Sequence, residues 1–412
     1  MRSAFRKYIN FMSDVTLNII ASGVIAIVLQ FGVYPLLNKG LNTALFGEVL
    51  VMMSIVNIVA VLLGNSLNNI RILYNKEYKA EKVTGDFSLI LLCAGIVNLL
   101  IMSTIVFLLW PHHSFWGNIL LIIISLLTML RSYLIVDYRL ALNYKRIAQH
   151  SLMYSAALLF STLILFISDL WQLVFFIGET ISLLFLAFTT QLIKEPIKIS
   201  FKIKHTVKQY ILLCISSLLG NILIYLDRFI IFSFLGAQKV TIFFVATMIG
   251  KLSSLILSPI SGVVLTYLSN KEGKITLKVF WMLNVGILIF SSIASFFTLI
   301  LSKLALSIFY PNLYDDALKI LFIANFAVIL LSSCSLTQTI ILKYSRMNVQ
   351  ILIQLVYGLI YAIGGIVMIN LAGLKGFCLA ASLAALFKFF FILFAGTLTL
   401  SNDKRIKLHK NN

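Results

Sequence analysis

Charge is scarce in this sequence: only 11% of its 412 residues are Asp, Glu, Lys or Arg, and just 14 are acidic. A soluble domain carries about 25% charged residues, so this composition excludes an ordinary water-facing surface. Proline is rare too, with 5 in the whole chain, and cysteine rarer, with 4. Cys93, Cys214, Cys334 and Cys378 lie inside apolar runs without paired spacing, which excludes a disulfide framework or a thiolate metal site. A phosphate-binding glycine loop is missing, and no long polar stretch offers room for a soluble catalytic lobe. None of the five histidines is placed to relay protons within an apolar run. No cofactor or metal is therefore expected.

What the chain does have is hydrophobic length. It is 60% hydrophobic, and its mean hydropathy is +1.02. Apolar runs recur from end to end, and a hydrocarbon core of about 30 Å takes about 20 helical residues to cross. They do not alternate as barrel strands do, so an all-α polytopic membrane protein is expected. The runs place twelve spans near 15–37, 45–69, 87–110, 117–140, 148–168, 170–193, 209–235, 240–268, 278–301, 317–342, 349–370 and 374–400. Arg2, Arg6 and Lys7 precede a first run too long for a cleavable signal, so the first helix is read as an anchor.

The net charge of +19 is distributed asymmetrically. With a cytoplasmic N-terminus, the inner connections hold clusters such as Arg71, Lys76, Lys79 and Lys82, or Lys404, Arg405, Lys407 and Lys410. The outer connections hold only Lys39, Lys239, Lys303, Lys319 and Lys375. This bias puts both termini in the cytoplasm. It also explains the basic charge as topology and attraction to membrane lipids, without nucleic acid.

The most basic connection, 194–208, divides the chain into a six-helix half over 1–193 and another over 209–400, with a basic tail at 401–412. The halves look related at an offset of 194 residues, which lays Leu41–Gly47 on Leu235–Thr241. Six spans per half make such a repeat parallel, and transporters of this build carry substrate between the halves.

A charged residue at mid-span costs about 2.5–3.5 kcal/mol on insertion scales and marks a cavity, a pair or a path. Arg131, Asp137, Glu179, Asp227, Arg228, Lys251 and Lys388 fall in this class. Asn57, Gly64, Asn68 and Arg71 share one helical face, as do Lys251, Ser254, Ser258 and Gly262. The offset superposes Lys251 on Asn57 and Ser258 on Gly64. Ser217, Asn221, Tyr225 and Arg228 make a third stripe. Small and hydroxylated residues also serve ordinary helix packing, and Arg71, Asp137 and Arg139 sit where snorkelling to the rim suffices. Asp227 is the evident partner for Arg228 or Lys251, with Asp227, Glu179 and Asp137 open to either ion coupling or ion pairing. Pro35 and Pro259 interrupt the first and eighth spans.

The stretch Tyr225-Leu-Asp-Arg-Phe-Ile-Ile-Phe-Ser-Phe-Leu-Gly236 resembles the Asp-Arg-x-Ile-Ile-x-x-x-Leu-Gly segment of bacterial polysaccharide exporters. These are the O-antigen, capsule and exopolysaccharide repeat-unit flippases of the Wzx type, within the multidrug/oligosaccharidyl-lipid/polysaccharide exporter superfamily. Leu63–Arg71 and Phe46-Gly47 are similar to their first-half counterparts. Thr241-Ile-Phe243 departs from the Gly-Val-Tyr frequent there. The resemblance implies a V-shaped bundle, like that of the multidrug exporters, around a cationic cavity in the bacterial inner membrane. It implies as cargo an undecaprenyl-diphosphate-linked oligosaccharide, with a polysaccharide polymerase and a chain-length regulator acting beside it. Arg228, Lys251, Lys388, Arg131 and Arg71 would then meet the diphosphate, and Asn57, Asn68, Asn221, Tyr225 and Ser258 the sugars. No bond is made or broken in such a process.

Two other transporters share that superfamily: a drug/cation antiporter, which favours carboxylates in its pocket, and a lipid II flippase, usually two helices longer. A membrane-embedded polymerase or glycosyltransferase is a more distant alternative that needs larger outer loops than these.

Overall fold

The computed structural model describes residues 16–17, 19–81, 86–110, 114–270, 276–344 and 347–410. The side chains of Ile256, 258–270, 339–348 and 402–410 lie outside the described set. Among the described residues the structure is helical nearly throughout and forms no strand. In lipid a helix satisfies its own backbone groups, so apolar sequence of this length has no competing solution.

In chain order the helices are α1 (Ile19–Gly40), α2 (Thr43–Ala80), α3 (Asp86–Leu109), α4 (Phe115–Leu140), α5 (Tyr144–Phe166), α6 (Gln172–Thr189) and α7 (Ile203–Leu235). They continue as α8 (Ala237–Asn270), α9 (Leu277–Phe309) and α10 (Leu321–Tyr344). A final helical stretch, Met347–Lys410, breaks at Ala372 and Gly373 into α11 and α12. Ten stretches among the described residues are long and apolar enough to cross a membrane. Dividing the last of these and adding α8 gives the twelve spans expected. The chain is a multi-pass helical membrane protein.

Local chemistry sets the irregularities. A π-helical turn over Leu29–Val33 runs straight into Pro35, whose missing N–H frees a carbonyl one turn earlier. A second π turn, Asn57–Val61, begins where the Asn57 side-chain amide donates to the Met53 carbonyl at 2.7 Å. The tight α5–α6 turn is closed by the Ser168 hydroxyl, which accepts from the Leu170 amide at 3.2 Å. Between α11 and α12 the chain reverses at Gly373, where φ is +57°, a conformation that costs glycine little.

Two compact units emerge. One gathers the described residues up to Asn42 with Val49–Tyr225; the other gathers Thr43–Glu48 with the chain from Leu226 onward. In the first, Leu67, Ile70, Tyr133, Leu134 and Leu186 form a buried core. In the second, Phe280, Leu330, Cys334, Ile353, Phe389 and Ile392 do so. Large apolar side chains such as Leu108, Phe166, Phe188 and Phe296 point outward, as lipid-facing surfaces require.

The 194–208 connection is fastened to the first unit. Glu195 pairs with Arg71, whose guanidinium also donates to the Tyr133 hydroxyl at 2.8 Å. The Ser200 amide donates to Asp86 at 2.7 Å, and the Tyr78 hydroxyl donates to the same carboxylate at 2.8 Å. Lys202 meets Glu81 at 2.6 Å. The Glu81 carboxylate, with Glu77 adding to it, holds the Lys202 ammonium above its ordinary pKa.

Candidate functional site: charges held at membrane depth

In the first unit, the face of α2 carrying Gly64, Asn68 and Arg71 packs onto α4. A Cβ on Gly64 would fall 2.5 Å from the Met129 carbonyl oxygen. The Asn68 amide donates to the Ser132 carbonyl at 3.0 Å, and Arg139 reaches the Asn68 side-chain oxygen at 3.4 Å. Arg71 is taken up by Glu195. This stripe is a helix-packing seam tied together by polar contacts.

On the same helix, Arg131 of α4 holds Glu179 of α6 with two bonds, Nε to Oε2 at 2.6 Å and Nη2 to Oε1 at 3.0 Å. The Tyr154 hydroxyl of α5 donates to Glu179 at 2.8 Å, and its ring lies 4.5 Å from the guanidinium carbon. His150, stacked on Tyr154, shares a 2.7 Å hydrogen bond with Ser182. Sequence alone placed no histidine among the intramembrane polar groups; His150 is buried within α5. It escaped because it sits at the start of an apolar run, where helix ends are poorly fixed. Asp137 accepts from the Gln191 backbone N–H at 3.0 Å near the end of α4.

The second unit brings together residues of α7, α8, α11 and α12. Lys251 binds Asp227 at 2.8 Å, one residue before Arg228 on α7. On α11, Tyr357 and Tyr361 stack with ring centres 5.7 Å apart. Lys388 is buried, its Nζ 4.8 Å from the Tyr357 ring centre and 3.5 Å from the Gln354 side-chain oxygen. No carboxylate pairs with Lys388 among the described residues.

A pattern here was invisible in sequence. Each of the three cations lies over an aromatic face: Arg228 over Phe244 at 5.3 Å, Lys251 over Phe243 at 5.6 Å and Lys388 over Tyr357. A ring quadrupole stabilises a cation by about 0.5–2 kcal/mol without cancelling its charge, whereas a carboxylate cancels it. Arg71 and Arg131 in the first unit are neutralised by carboxylates, and Lys388 is not.

Other predicted positions are quieter. Asn57 is bound to its own helix, and Asn221 donates to the Ser217 carbonyl at 2.9 Å. Tyr225 lies half-buried on α7. The side chains of Ser258 and Pro259 fall outside the described set. Glu48 was missed: it lies inside α2, half-buried, and adds a carboxylate to the intramembrane anions read from sequence.

No family model matches the chain, and no curated protein does. Solved structures do. An inward-facing multidrug resistance MATE family transporter of the MOP superfamily superposes with a TM-score of 0.68 at 14% identity, over 95% of this chain and 96% of that one. The lipid II flippase MurJ in an inward closed conformation superposes with a TM-score of 0.66 at 17% identity, over 95% of this chain and 87% of that one. A MATE structure in the bent conformation gives 0.64 at 13%, over 96% of both chains. These likenesses set the fold: an all-helical membrane bundle like those of the MATE structures and MurJ.

Proposed function

We propose that the chain is a flippase that moves undecaprenyl-diphosphate-linked oligosaccharide repeat units from the cytoplasmic to the outer leaflet for surface polysaccharide synthesis. The observation that carries this reading is Lys388, a buried ammonium on α12 whose near partners are a neutral amide and a ring. Burial without a counter-charge is costly, and an anionic cargo offsets that cost when it binds. Lys251 stands by, held by Asp227 until a diphosphate competes for it. The likeness to MurJ supports a lipid-linked cargo. An inside-negative potential favours outward movement of anions by about 2.3 kcal/mol per charge per 100 mV, so net export needs no coupled ion unless counter-charges travel with it. The six-helix halves, 1–193 and 209–400, act as rocking bodies in alternating access.

A drug/cation antiporter is the second reading, favoured by the MATE likeness and by the buried carboxylate of Glu179. One assay separates the two. Purified protein in sealed vesicles is given a fluorescent polyprenyl-diphosphate oligosaccharide, and its transfer between leaflets is followed by a membrane-impermeant quencher. We expect transfer by the native chain, loss in Lys388→Met and partial retention in Lys388→Arg. Vesicles that exchange a cationic dye for protons or sodium, yet flip no lipid-linked sugar, overturn the proposal in favour of the antiporter.

A further inference from the structure

The segment joining the halves has a strict alternation that its role as a connector does not require. Ile197, Ile199, Phe201 and Ile203 occupy odd positions, and Lys198, Ser200, Lys202 and Lys204 the even ones. Residues 196–200 carry no helix, and in extended chain successive side chains point to opposite sides. The even side is where the fastening occurs, through Ser200 to Asp86 and Lys202 to Glu81. The odd side is thereby turned outward: Ile197 is 58% exposed, Ile199 76% and Phe201 78%.

The stripe continues on α7. Ile203, Val207 and Ile211 follow one another at helical spacing beside Lys204, Lys208 and Leu212, and these six residues line a shallow, largely open groove along one face of the helix. Lys194, Lys198, Lys204 and Lys208 make no ion pair among the described residues. Lys202, the lysine that does pair, is the one facing the protein. An apolar row bordered by uncompensated lysines at the end of a membrane span matches a lipid with a hydrocarbon body and an anionic head.

We propose that residues 193–212 form a binding site for an anionic glycerophospholipid of the adjacent leaflet. The phosphate lies between Lys204 and Lys208, and an acyl chain lies along Ile203, Val207 and Ile211. Ile199 and Phe201 enter the same leaflet, so the connector is a strap fixed to protein along one edge and to lipid along the other. The site is independent of the cargo-binding cations on α7, α8 and α12.

The test is lipid titration of the full-length, delipidated protein followed by native mass spectrometry. Phosphatidylglycerol and phosphatidylcholine with identical acyl chains serve as probes, with a polyprenyl phosphate as a third. Two lysines at an anionic head give roughly thirty-fold preference for phosphatidylglycerol, or about 2 kcal/mol. The doubly neutralised K204Q/K208Q protein is expected to lose that preference, and Phe201→Asp to weaken phosphatidylglycerol binding. Both should unfold close to the native temperature, since all three side chains are exposed and Phe201 has only a 6.0 Å contact with the Lys202 ammonium to lose. A K303Q/K375Q control, with lysines exposed elsewhere, should keep the preference. Equal binding of the two phospholipids overturns the proposal, as does a preference surviving in K204Q/K208Q. Tighter binding of polyprenyl phosphate than of phosphatidylglycerol overturns it too, and would assign the groove to a lipid-linked cargo.

Discussion

A Cβ on Gly47 would lie 1.9 Å from the carbonyl oxygen of Ala237, so the start of α2 touches the start of α8 backbone to backbone. The reciprocal contact is also present, for the Thr241 hydroxyl donates to the Thr43 carbonyl at 2.7 Å. Shifting Thr43 and Gly47 by 194 residues gives Ala237 and Thr241. The two turns that the sequence repeat pairs therefore meet each other, each presenting a carbonyl to the other's fifth residue.

That contact leaves no room for a side chain. Gly47→Ala is expected to force a backbone shift costing about 1–3 kcal/mol, the usual range for overpacking. The thermal unfolding temperature of the purified protein should fall. Gly23→Ala, where nothing lies within 4 Å, should leave it within error. An unchanged melting point for Gly47→Ala would refute the close crossing.

The two buried ion pairs should differ in cost when broken. Removing one partner of a buried pair strands the other charge, at about 3–5 kcal/mol. The Arg131 side chain is 15% exposed and that of Lys251 27%, so solvent screens the second pair more. Glu179→Gln is expected to lower stability more than Asp227→Asn does. An inverted order in melting temperature would contradict the burial seen here.

Replacing both members of the first pair tests its role. The double variant Arg131→Met, Glu179→Leu should recover most of the stability lost by either single change, since apolar replacements of such pairs are often neutral. Full stability with lost transport would show that Arg131 and Glu179 act in function. Intact transport would show a structural pair.

The strap on the first unit predicts a proteolytic signature. Asp86→Ala removes the acceptor for the Ser200 amide and the Tyr78 hydroxyl. Trypsin should then cut at Lys194 or Lys198 several-fold faster, as local opening becomes more frequent. Equal cutting rates in native and variant protein would show that the linker is loose from the start.

Particular residues mark how far sequence reading reached. The spans were legible because twenty consecutive apolar residues admit one backbone solution in lipid. The Asp227–Lys251 pair was also legible, because each residue is costly at depth and they lie on consecutive helices. Arg131 and Glu179 are separated by an intervening helix, and helical periodicity carries no information on which faces meet across a bundle. Their pairing therefore stayed hidden, as did the aromatic rings beneath Arg228, Lys251 and Lys388.

Composition and period by themselves determined that the chain is a helical membrane protein, where its helices run and which side chains are too polar to face lipid. Those are properties of single segments against a solvent. Only the tertiary structure decided which charges are cancelled and which remain. It gave Arg71 to Glu195 and Arg131 to Glu179, and left Lys388 with an amide and a ring. Electrostatic energy depends on distances of a few ångströms between helices remote in sequence, and those distances exist only once the bundle has packed.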